Sequence, residues 1–497
     1  PDIVGLNEVV VTATKQIVKQ EIDRISYDLQ ADPESKVFNV LEMMRKVPLL
    51  SLDADNNILM KGNSDFKILI NGKPSSMMER NYKDILRSMP ASSIERIEVI
   101  TSPPAKYDAE GLAGIINIIT TKKLDNGYNG SLNLSERFPT GGPGLGGSIS
   151  AKLGKFGISA FGGASLQTNL PIRGGVQRIT TGGQPTTLLQ EGTTGSENRT
   201  AYLGYEMSYE IDTLNLISTQ FNLNGSKLVG NSLQTSTLMS SDVRLQGYNL
   251  ETNRRGNGNG VDASLNYQHS FRSDKTRMLT FSYRYLSYAD RQTSALNITN
   301  RVNYPIHDYQ QVNDQHFSEQ TFQADYVHPI KKHQIEAGLK GILRDNQSDF
   351  QYAAADSGTG QFVIQPTISN RFRNTQNVFG GYTTYQYVVK SWGVKAGLRI
   401  EQTVIDADFI SVDASLKRTY FNLIPSVSVN RKFKNNSGLT LGYTQRIQRP
   451  GIYQLNPFVD RSNPNFERTG NPDLRPALVN DIQLTFSGTG KAQLNMG

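Results

Sequence analysis

The side chains best suited to metal binding or acid–base catalysis are few and scattered along this chain of 497 residues. The sequence has no cysteine, which excludes disulfides and thiolate metal sites. Its five histidines are His269, His307, His316, His328 and His333. None of them is paired at a metal-ligand spacing, and the chain has no nucleophile elbow, phosphate-binding loop or His-Glu-x-x-His motif. We therefore expect no enzyme activity, no metal site and no cofactor.

Composition narrows the class of protein further. Only 37% of the residues are hydrophobic, and no apolar run approaches the roughly 18–20 residues of a membrane-spanning helix. The net charge is +7, but Lys and Arg are dispersed among Asp and Glu, so nucleic acid is not an expected partner. The positive charge is compatible with a solvated surface or with attraction to an anionic lipid or ligand. A water-soluble protein and a transmembrane β-barrel both remain open.

From residue 125 to residue 497 the pattern is that of many β-strands. Strictly alternating segments such as 279–285 and 394–400 are separated by clusters of Gly, Asn, Asp and Ser. Polar residues, including Lys395, Arg399 and Glu401, occupy the alternate positions of the second segment. Strands with one apolar and one polar face are typical of a membrane barrel. A soluble β-sandwich or solenoid is the alternative, and it is less favoured because no fixed repeat is visible.

Residues 16–124 have a different pattern, that of a mixed α/β domain. Apolar spacing predicts a helix over 37–47 and another over 82–89, each ended by a proline. Short strands are predicted at 58–60 and 66–70, the second followed by an Asn-Gly turn. Further along, an alternating strand, a Pro-Pro break, a small-residue turn and an apolar strand follow one another over residues 92–122.

This last segment reads SSIERIEVITSPPAKYDAEGLAGIINIITTK and closely resembles the plug domain of TonB-dependent outer-membrane receptors. The preceding residues run in the order of that domain, with Leu49, Lys61 and Asn71 as mild departures from its pattern. The resemblance implies an N-terminal α/β plug domain inside a transmembrane antiparallel β-barrel in the bacterial outer membrane. Lipopolysaccharide and outer-membrane lipid then become expected partners.

A second resemblance covers residues 444–476, which contain TQRIQRP, LNPF and GNPDLRP. This is similar to a barrel signature of the same receptors, commonest in the Bacteroidetes-type outer-membrane barrel branch. In the family several strands follow this signature and the barrel closes with 22 strands. We count roughly fifteen candidate strands here. The expectation is a partial barrel, incomplete at the C-terminus.

The N-terminal segment 1–15 contains a β-prone run that resembles the TonB box. The candidate residues are Glu8, Val9, Val10, Val11, Thr12 and Ala13. By resemblance, this peptide would pair as an added strand with the periplasmic energy transducer TonB. The same run could instead be the first strand of the plug, or the end of a preceding domain.

Two further roles follow from the resemblance. Arg96 and Glu98, with Glu95 beside them, resemble a charged pair of the family that faces the barrel wall and would hold the plug there. The alternative is a solvated interface between plug and wall, in which these charges hold nothing. Turn residues on the outer side of the plug are weak candidates for ligand contact. They are Asn63, Ser64, Asp65, Ser75 and Ser76.

The expected function is energised import of a ligand across the outer membrane. The family's substrates are siderophores, haem, vitamins, glycans and peptides, and a surface lipoprotein accompanies some relatives. The alternative is a plugged receptor used for signalling or adhesion without transport. A passive porin is opposed by the plug, and no Ser/His/acid constellation supports a hydrolase.

Overall fold

The computed structural model describes residues 17–53, 55–75, 78, 82–83, 85–87, 89–110, 113–120, 127–136, 138, 141–433, 437–457, 459–463, 466–488 and 494–496. These residues form a small N-terminal domain and one long antiparallel sheet. In the described part of the chain, no helix is long and apolar enough to cross a membrane. The expected domain boundary at 124/125 falls in 121–126, and the segment 1–15 lies wholly outside the described residues.

The N-terminal domain is built on a six-stranded sheet. In order across the sheet its strands are Val18–Gln20, Ile25–Asp28, Ile94–Ile100, Ile115–Thr120, Lys67–Ile70 and Lys73–Pro74. Lys67–Ile70 and Ile115–Thr120 are parallel, whereas the other neighbouring strands of this sheet are antiparallel. Ile115–Thr120 is paired on both sides and is therefore buried in the middle of the sheet. That position explains its nearly unbroken apolar sequence. A separate hairpin pairs Leu50–Leu52 with Ile58–Met60.

The first helix of this domain is shorter than the sequence pattern predicts. The helix expected over 37–47 is an α-helix at Val40–Met43 followed by a 3₁₀ turn at Met44–Lys46. A capping box at Asn39 and Glu42 starts it, which leaves Val37 outside the helix and 72% exposed. Other 3₁₀ turns lie at Pro33–Lys36 and Ala91–Ser93. The second predicted helix is present at residues 82–83 and 85–87, where Ile85 and Leu86 are fully buried in the core.

Gly114 allows the chain to enter the central strand of this domain. Its φ is +127°, and a Cβ there would lie 2.5 Å from the Ile100 carbonyl oxygen and 2.6 Å from Met60 Cε. We expect Gly114→Ala to lower the free energy of unfolding of the domain by roughly 2–4 kcal/mol, since backbone strain and overpacking add. Hydrogen exchange of the strand Ile94–Ile100 in increasing urea measures this. Gly62→Ala is the control, because Gly62 also has a positive φ (+79°) but faces open space; equal effects of the two variants would contradict the prediction.

Within the described residues, the long sheet contains sixteen strands, each antiparallel to its neighbours. They are Gly127–Ser135, Gly144–Leu153, Phe156–Thr180, Thr186–Glu210, Asn215–Ser240, Val243–Phe271, Asp274–Val302, Tyr309–Ile330, His333–Ala355, Phe362–Ile364, Asn370–Val389, Trp392–Phe409, Ala414–Lys432, Gly438–Gln448, Ala477–Gly488 and Leu494–Met496. A 3₁₀ turn at Ile410–Val412, a helix at Ile452–Leu455 and a hairpin of Asp460–Asn463 with Phe466–Arg468 lie in the connections. Among the described residues, the first and last strands of the sheet are not paired with each other.

The two faces of the sheet differ as the alternation predicts. Leu339, Phe379 and Phe421 are 69%, 49% and 70% exposed on the outer face, where a bilayer would cover them. On the inner face, Arg399 and Glu401 are each 1% exposed, and Arg399 donates a hydrogen bond to the Ala105 carbonyl oxygen of the N-terminal domain.

The two ends of the sheet also differ. Connections at one end are short, for example 331–332 and 390–391, whereas the other end carries the connections 356–369 and 449–476. We call these the short-turn end and the long-loop end. Membrane barrels place short turns on the periplasmic side and longer loops outside the cell.

Candidate functional site

Two cavities separate the N-terminal domain from the inner face of the barrel wall. The outer cavity, of about 600 Å³, lies toward the long-loop end and is lined by Ser64, Asp65 and Glu110 from the domain. The wall contributes Tyr288 and Phe317, whose rings are stacked with centroids 4.8 Å apart. The inner cavity, of about 300 Å³, lies toward the short-turn end. Lys67 lines both cavities and marks the level at which they meet.

The carboxylate of Glu110 is the centre of an ion-pair cluster between the two cavities. It accepts hydrogen bonds from Lys67 of its own domain at 2.8 Å, and from Arg344 and Arg449 of the wall at 3.0 and 2.6 Å. Burial alone would raise the pKa of Glu110, but Arg344, Lys67 and Arg449 hold that pKa well below its usual range. Glu110 is therefore a charged acid that joins the domain to the wall strand His333–Ala355, through Arg344, and to the start of the connection 449–476, through Arg449.

The cluster continues along the wall in two directions. Arg344 also donates to Glu319 at 2.7 Å, and Glu319 pairs with Arg284 at 3.2 Å. In the other direction, Arg449 pairs with Glu401, and Glu401 accepts from Arg399 at 2.5 Å. Buried charges of this kind are stable only when each has a partner, so the cluster fixes the position of the plug relative to the wall.

Two more acids of the N-terminal domain pair with the wall. Asp108 lies 2.8 Å from Lys340 and 3.7 Å from Arg399. Near the short-turn end, Asp23 pairs with Lys395 at 2.9 Å. Burial would raise the pKa of Asp23 and of Asp108, but the adjacent cations, above all Lys395 and Lys340 respectively, lower both pKa values. We call Asp23, Asp108 and Glu110 the interface acids.

The predicted latch residues occupy a different place. Glu98 is buried and accepts hydrogen bonds, each of 2.9 Å, from Arg24, Arg96 and Asn117 of its own domain. Burial opposes the charge of Glu98, but Arg24 is the main cause of a lowered pKa. Arg24 also donates to Asp23, so Glu98 is connected to the wall through Arg24 and Asp23. A direct latch through Arg96 and Glu98 stays a prediction.

The weak ligand candidates are divided by the structure. Ser64 and Asp65 line the outer cavity, and the Asn63 side chain accepts a hydrogen bond from the Asp65 backbone N–H at 2.8 Å in the adjacent turn. Ser75 is 1% exposed and donates to Asp262 of the wall, which places it away from the outer cavity. Ser76 and the run from Glu8 to Ala13 lie outside the described residues.

Sequence reasoning missed the interface acids, although a signal was present. Asp108 and Glu110 are two acids, two positions apart, within a run of small residues after the Pro-Pro break. Their partners Lys340, Arg344 and Arg399 stand at polar positions of alternating strands, which face the lumen. In the described part of the chain, no group of three or more His, Asp or Glu side chains is arranged to hold a metal ion.

Comparison with known proteins identifies both regions. Residues 18–115 match the TonB-dependent Receptor Plug Domain, and residues 269–497 match the Outer membrane protein beta-barrel family. The chain is 28% identical over 162 residues to the ferric enterobactin receptor of Pseudomonas aeruginosa, an alignment that covers 28% of this chain and 21% of the relative. The chain thus matches only about a fifth of the length of that relative.

Solved structures of low sequence identity share the fold. A copper transporter superposes with a TM-score of 0.62 at 12% identity, covering 97% of this chain and 71% of the other. A ferric citrate transporter gives 0.58 at 13% identity, with 94% and 67% covered. The ferripyoverdine receptor of Pseudomonas aeruginosa gives 0.58 at 12% identity, with 94% and 61% covered. The predicted fold class, a plug domain with an antiparallel outer-membrane barrel, is confirmed.

The two family matches occupy the two regions in the predicted order, plug first and barrel second. They are families of non-enzymatic proteins, as the scattered histidines and missing catalytic motifs led us to expect. The chain is a TonB-dependent receptor of the bacterial outer membrane, with an N-terminal plug domain and a β-barrel.

Proposed function

We propose that this protein imports a ligand across the outer membrane by TonB-dependent, energised transport. The observation that carries the proposal is the outer cavity. It lies between plug and wall toward the long-loop end, and the cluster around Glu110 separates it from the inner cavity. A ligand held there is outside the barrier formed by the plug, so its passage requires the plug to move.

The chemistry of the outer cavity supports capture of an organic ligand. The stacked Tyr288 and Phe317 present aromatic surface, and Asn346, Asn374 and Gln376 line the cavity with amide groups. Its cations Arg344 and Arg449 are already paired with carboxylates. Siderophore, haem, vitamin, glycan and peptide remain the proposed substrate classes, and ferric enterobactin, ferric citrate, ferripyoverdine and copper appear in the names of its relatives.

Energy would enter through the N-terminal segment. We propose that residues 8–13 add as a strand to TonB in the periplasm, and that a pull transmitted to the plug loosens the interface acids from the wall. Lipopolysaccharide would surround the barrel, and a surface lipoprotein at the long-loop end is a further proposed partner.

The first experiment compares a strain lacking the receptor with its parent, under iron limitation, under iron excess and on different carbon sources. We expect a growth defect on one nutrient, restored by the wild-type receptor only in cells that have TonB. Restoration in cells without TonB would refute energised import. Equal growth of deletion strain and parent on every nutrient would instead favour the signalling or adhesion alternative.

A further inference from the structure

The inner cavity contains more positive than negative groups. Its cationic lining side chains are Lys67, Lys73, Lys106, Arg284 and Lys340, and its acidic ones are Asp108, Asp325 and Glu336. The acids are largely engaged: Asp108 pairs with Lys340, Asp325 accepts from Tyr382 and Gln323, and Glu336 accepts from Gln334. The cations Lys67, Arg284 and Lys340 also have carboxylate partners, namely Glu110, Glu319 and Asp108, so what this cavity can bind depends on the donor groups that these pairs leave unused.

Arg284 is the most informative of these cations. It is 5% exposed, and its Nη1 donates to Glu319 at 3.2 Å. Its Nε and Nη2 are buried and have no hydrogen-bond partner within the described residues. Leaving two guanidinium N–H groups unsatisfied in a buried position costs free energy, and an oxyanion is the partner that such a planar fork binds best.

Lys106 provides a second cation on the plug side of the same cavity. Its ammonium group lies 5.2 Å from the centroid of the Tyr107 ring, and no carboxylate lies within ion-pair distance of it in the described part of the chain. Arg284 belongs to the wall strand Asp274–Val302, so the two cations reach the cavity from opposite sides. An anion between them would contact both plug and barrel.

We propose that the inner cavity is an anion-binding subsite, which takes a phosphate, sulfate or carboxylate group between Arg284 and Lys106. Its volume of about 300 Å³ suits a small oxyanion or one anionic group of a larger ligand. Any part the subsite plays in import rests on the proposed function, whereas anion binding itself requires neither TonB nor transport. Failure of one proposal is thus distinguishable from failure of the other.

The test is titration calorimetry of the purified protein in detergent with inorganic phosphate, at constant ionic strength. We expect saturable binding of one phosphate per chain, weakened at least tenfold by Arg284→Gln and partly restored by Arg284→Lys. Arg291→Gln is the matched control, because Arg291 lies on the same strand and pairs with one carboxylate, Asp314, but is 61% exposed at its side chain. A parallel phosphate titration of Lys106→Gln measures how much the cation on the plug side contributes to binding.

Two further outcomes are decisive. No saturable binding to the wild type, or equal binding to Arg284→Gln and Arg291→Gln, overturns the proposal. Thermal melting by circular dichroism verifies that each variant is folded. A second arm titrates glucose 6-phosphate: tighter binding than inorganic phosphate assigns the site to a ligand-borne group, and weaker binding assigns it to the free anion.

Discussion

Replacement of Glu110 by Gln is expected to loosen the plug from the barrel wall more than any other single change in the interface. The neutral amide leaves Lys67, Arg344 and Arg449 without their shared carboxylate, although Arg344 and Arg449 keep Glu319 and Glu401. Removing one partner from a buried ion-pair cluster costs about 3–5 kcal/mol, because the remaining charges stay buried. The plug should therefore unfold or detach at a lower urea concentration.

Hydrogen exchange of the plug strand Ile94–Ile100, followed by mass spectrometry in increasing urea, measures this change. The control is Glu95→Gln, which removes a half-exposed plug acid that pairs only with Arg96 among the described residues and should change the midpoint little. The double variant Glu110→Gln with Lys67→Gln removes the cation that has no second carboxylate partner among the described residues, and it should recover part of the loss. Identical midpoints for the wild type and Glu110→Gln would contradict a structural role for this cluster.

The same cluster predicts a pH dependence. The pKa of Glu110 in the folded protein lies well below its ordinary value of 4.5, since Arg344, Lys67 and Arg449 outweigh the effect of burial. A depressed folded-state pKa contributes stability that is present above pH 4.5 and is lost as the pH falls below it toward the folded-state pKa. Acid should therefore loosen the plug of the wild type more than that of Glu110→Gln, and exchange measured at pH 7 and pH 4 compares them.

Replacement of Val10 by Pro is expected to abolish energised uptake without preventing ligand capture. Strand addition to TonB uses the backbone N–H groups of the added segment, and proline removes one of them and fixes φ. Growth of the complemented deletion strain on the limiting nutrient measures uptake. Ligand capture by whole cells measures binding separately, so a receptor that is absent from the membrane is not mistaken for one that cannot be energised.

Val10→Thr is the matched control, because threonine is β-branched and keeps the N–H, and growth should be as in the wild type. Exchange of the strand Ile94–Ile100 should be unchanged in Val10→Pro. If that exchange increased, the run from Glu8 to Ala13 would belong to the plug sheet. Full growth of the Val10→Pro strain would exclude this run as the TonB-binding segment.

Much of the fold was predictable because strand and helix patterns are local. Alternation placed Lys395, Arg399 and Glu401 on the polar face of one strand, and the structure places that face against the plug. The apolar run 115–119 was predicted as a buried strand and lies inside the plug sheet. The helix over 37–47 was predicted too long because hydrophobic spacing does not show that the capping box at Asn39 starts it late.

The interface could not be predicted to the same depth. Glu110 and Arg449 are 339 positions apart, and their contact depends on how the plug is seated in the barrel. Composition showed that such charges exist, but pairing between distant segments is a property of the whole fold. Resemblance directed attention to Arg96 and Glu98, whereas the contacts of the structure connect the wall directly to Asp23, Asp108 and Glu110.

The order of the strands in the plug sheet determines how a mechanical load on the N-terminus would be released. Val18–Gln20 is the edge strand and is followed in the chain and in the sheet by Ile25–Asp28. Since ladder hydrogen bonds run perpendicular to the strands, a force applied at residue 17 opens this hairpin one pair at a time. The next strand, Ile94–Ile100, is distant in sequence. Unfolding under load would therefore halt after the first two strands have separated, which also breaks the ion pair of Asp23 with Lys395. The other four strands of the plug sheet would remain folded and attached to the wall through Glu110.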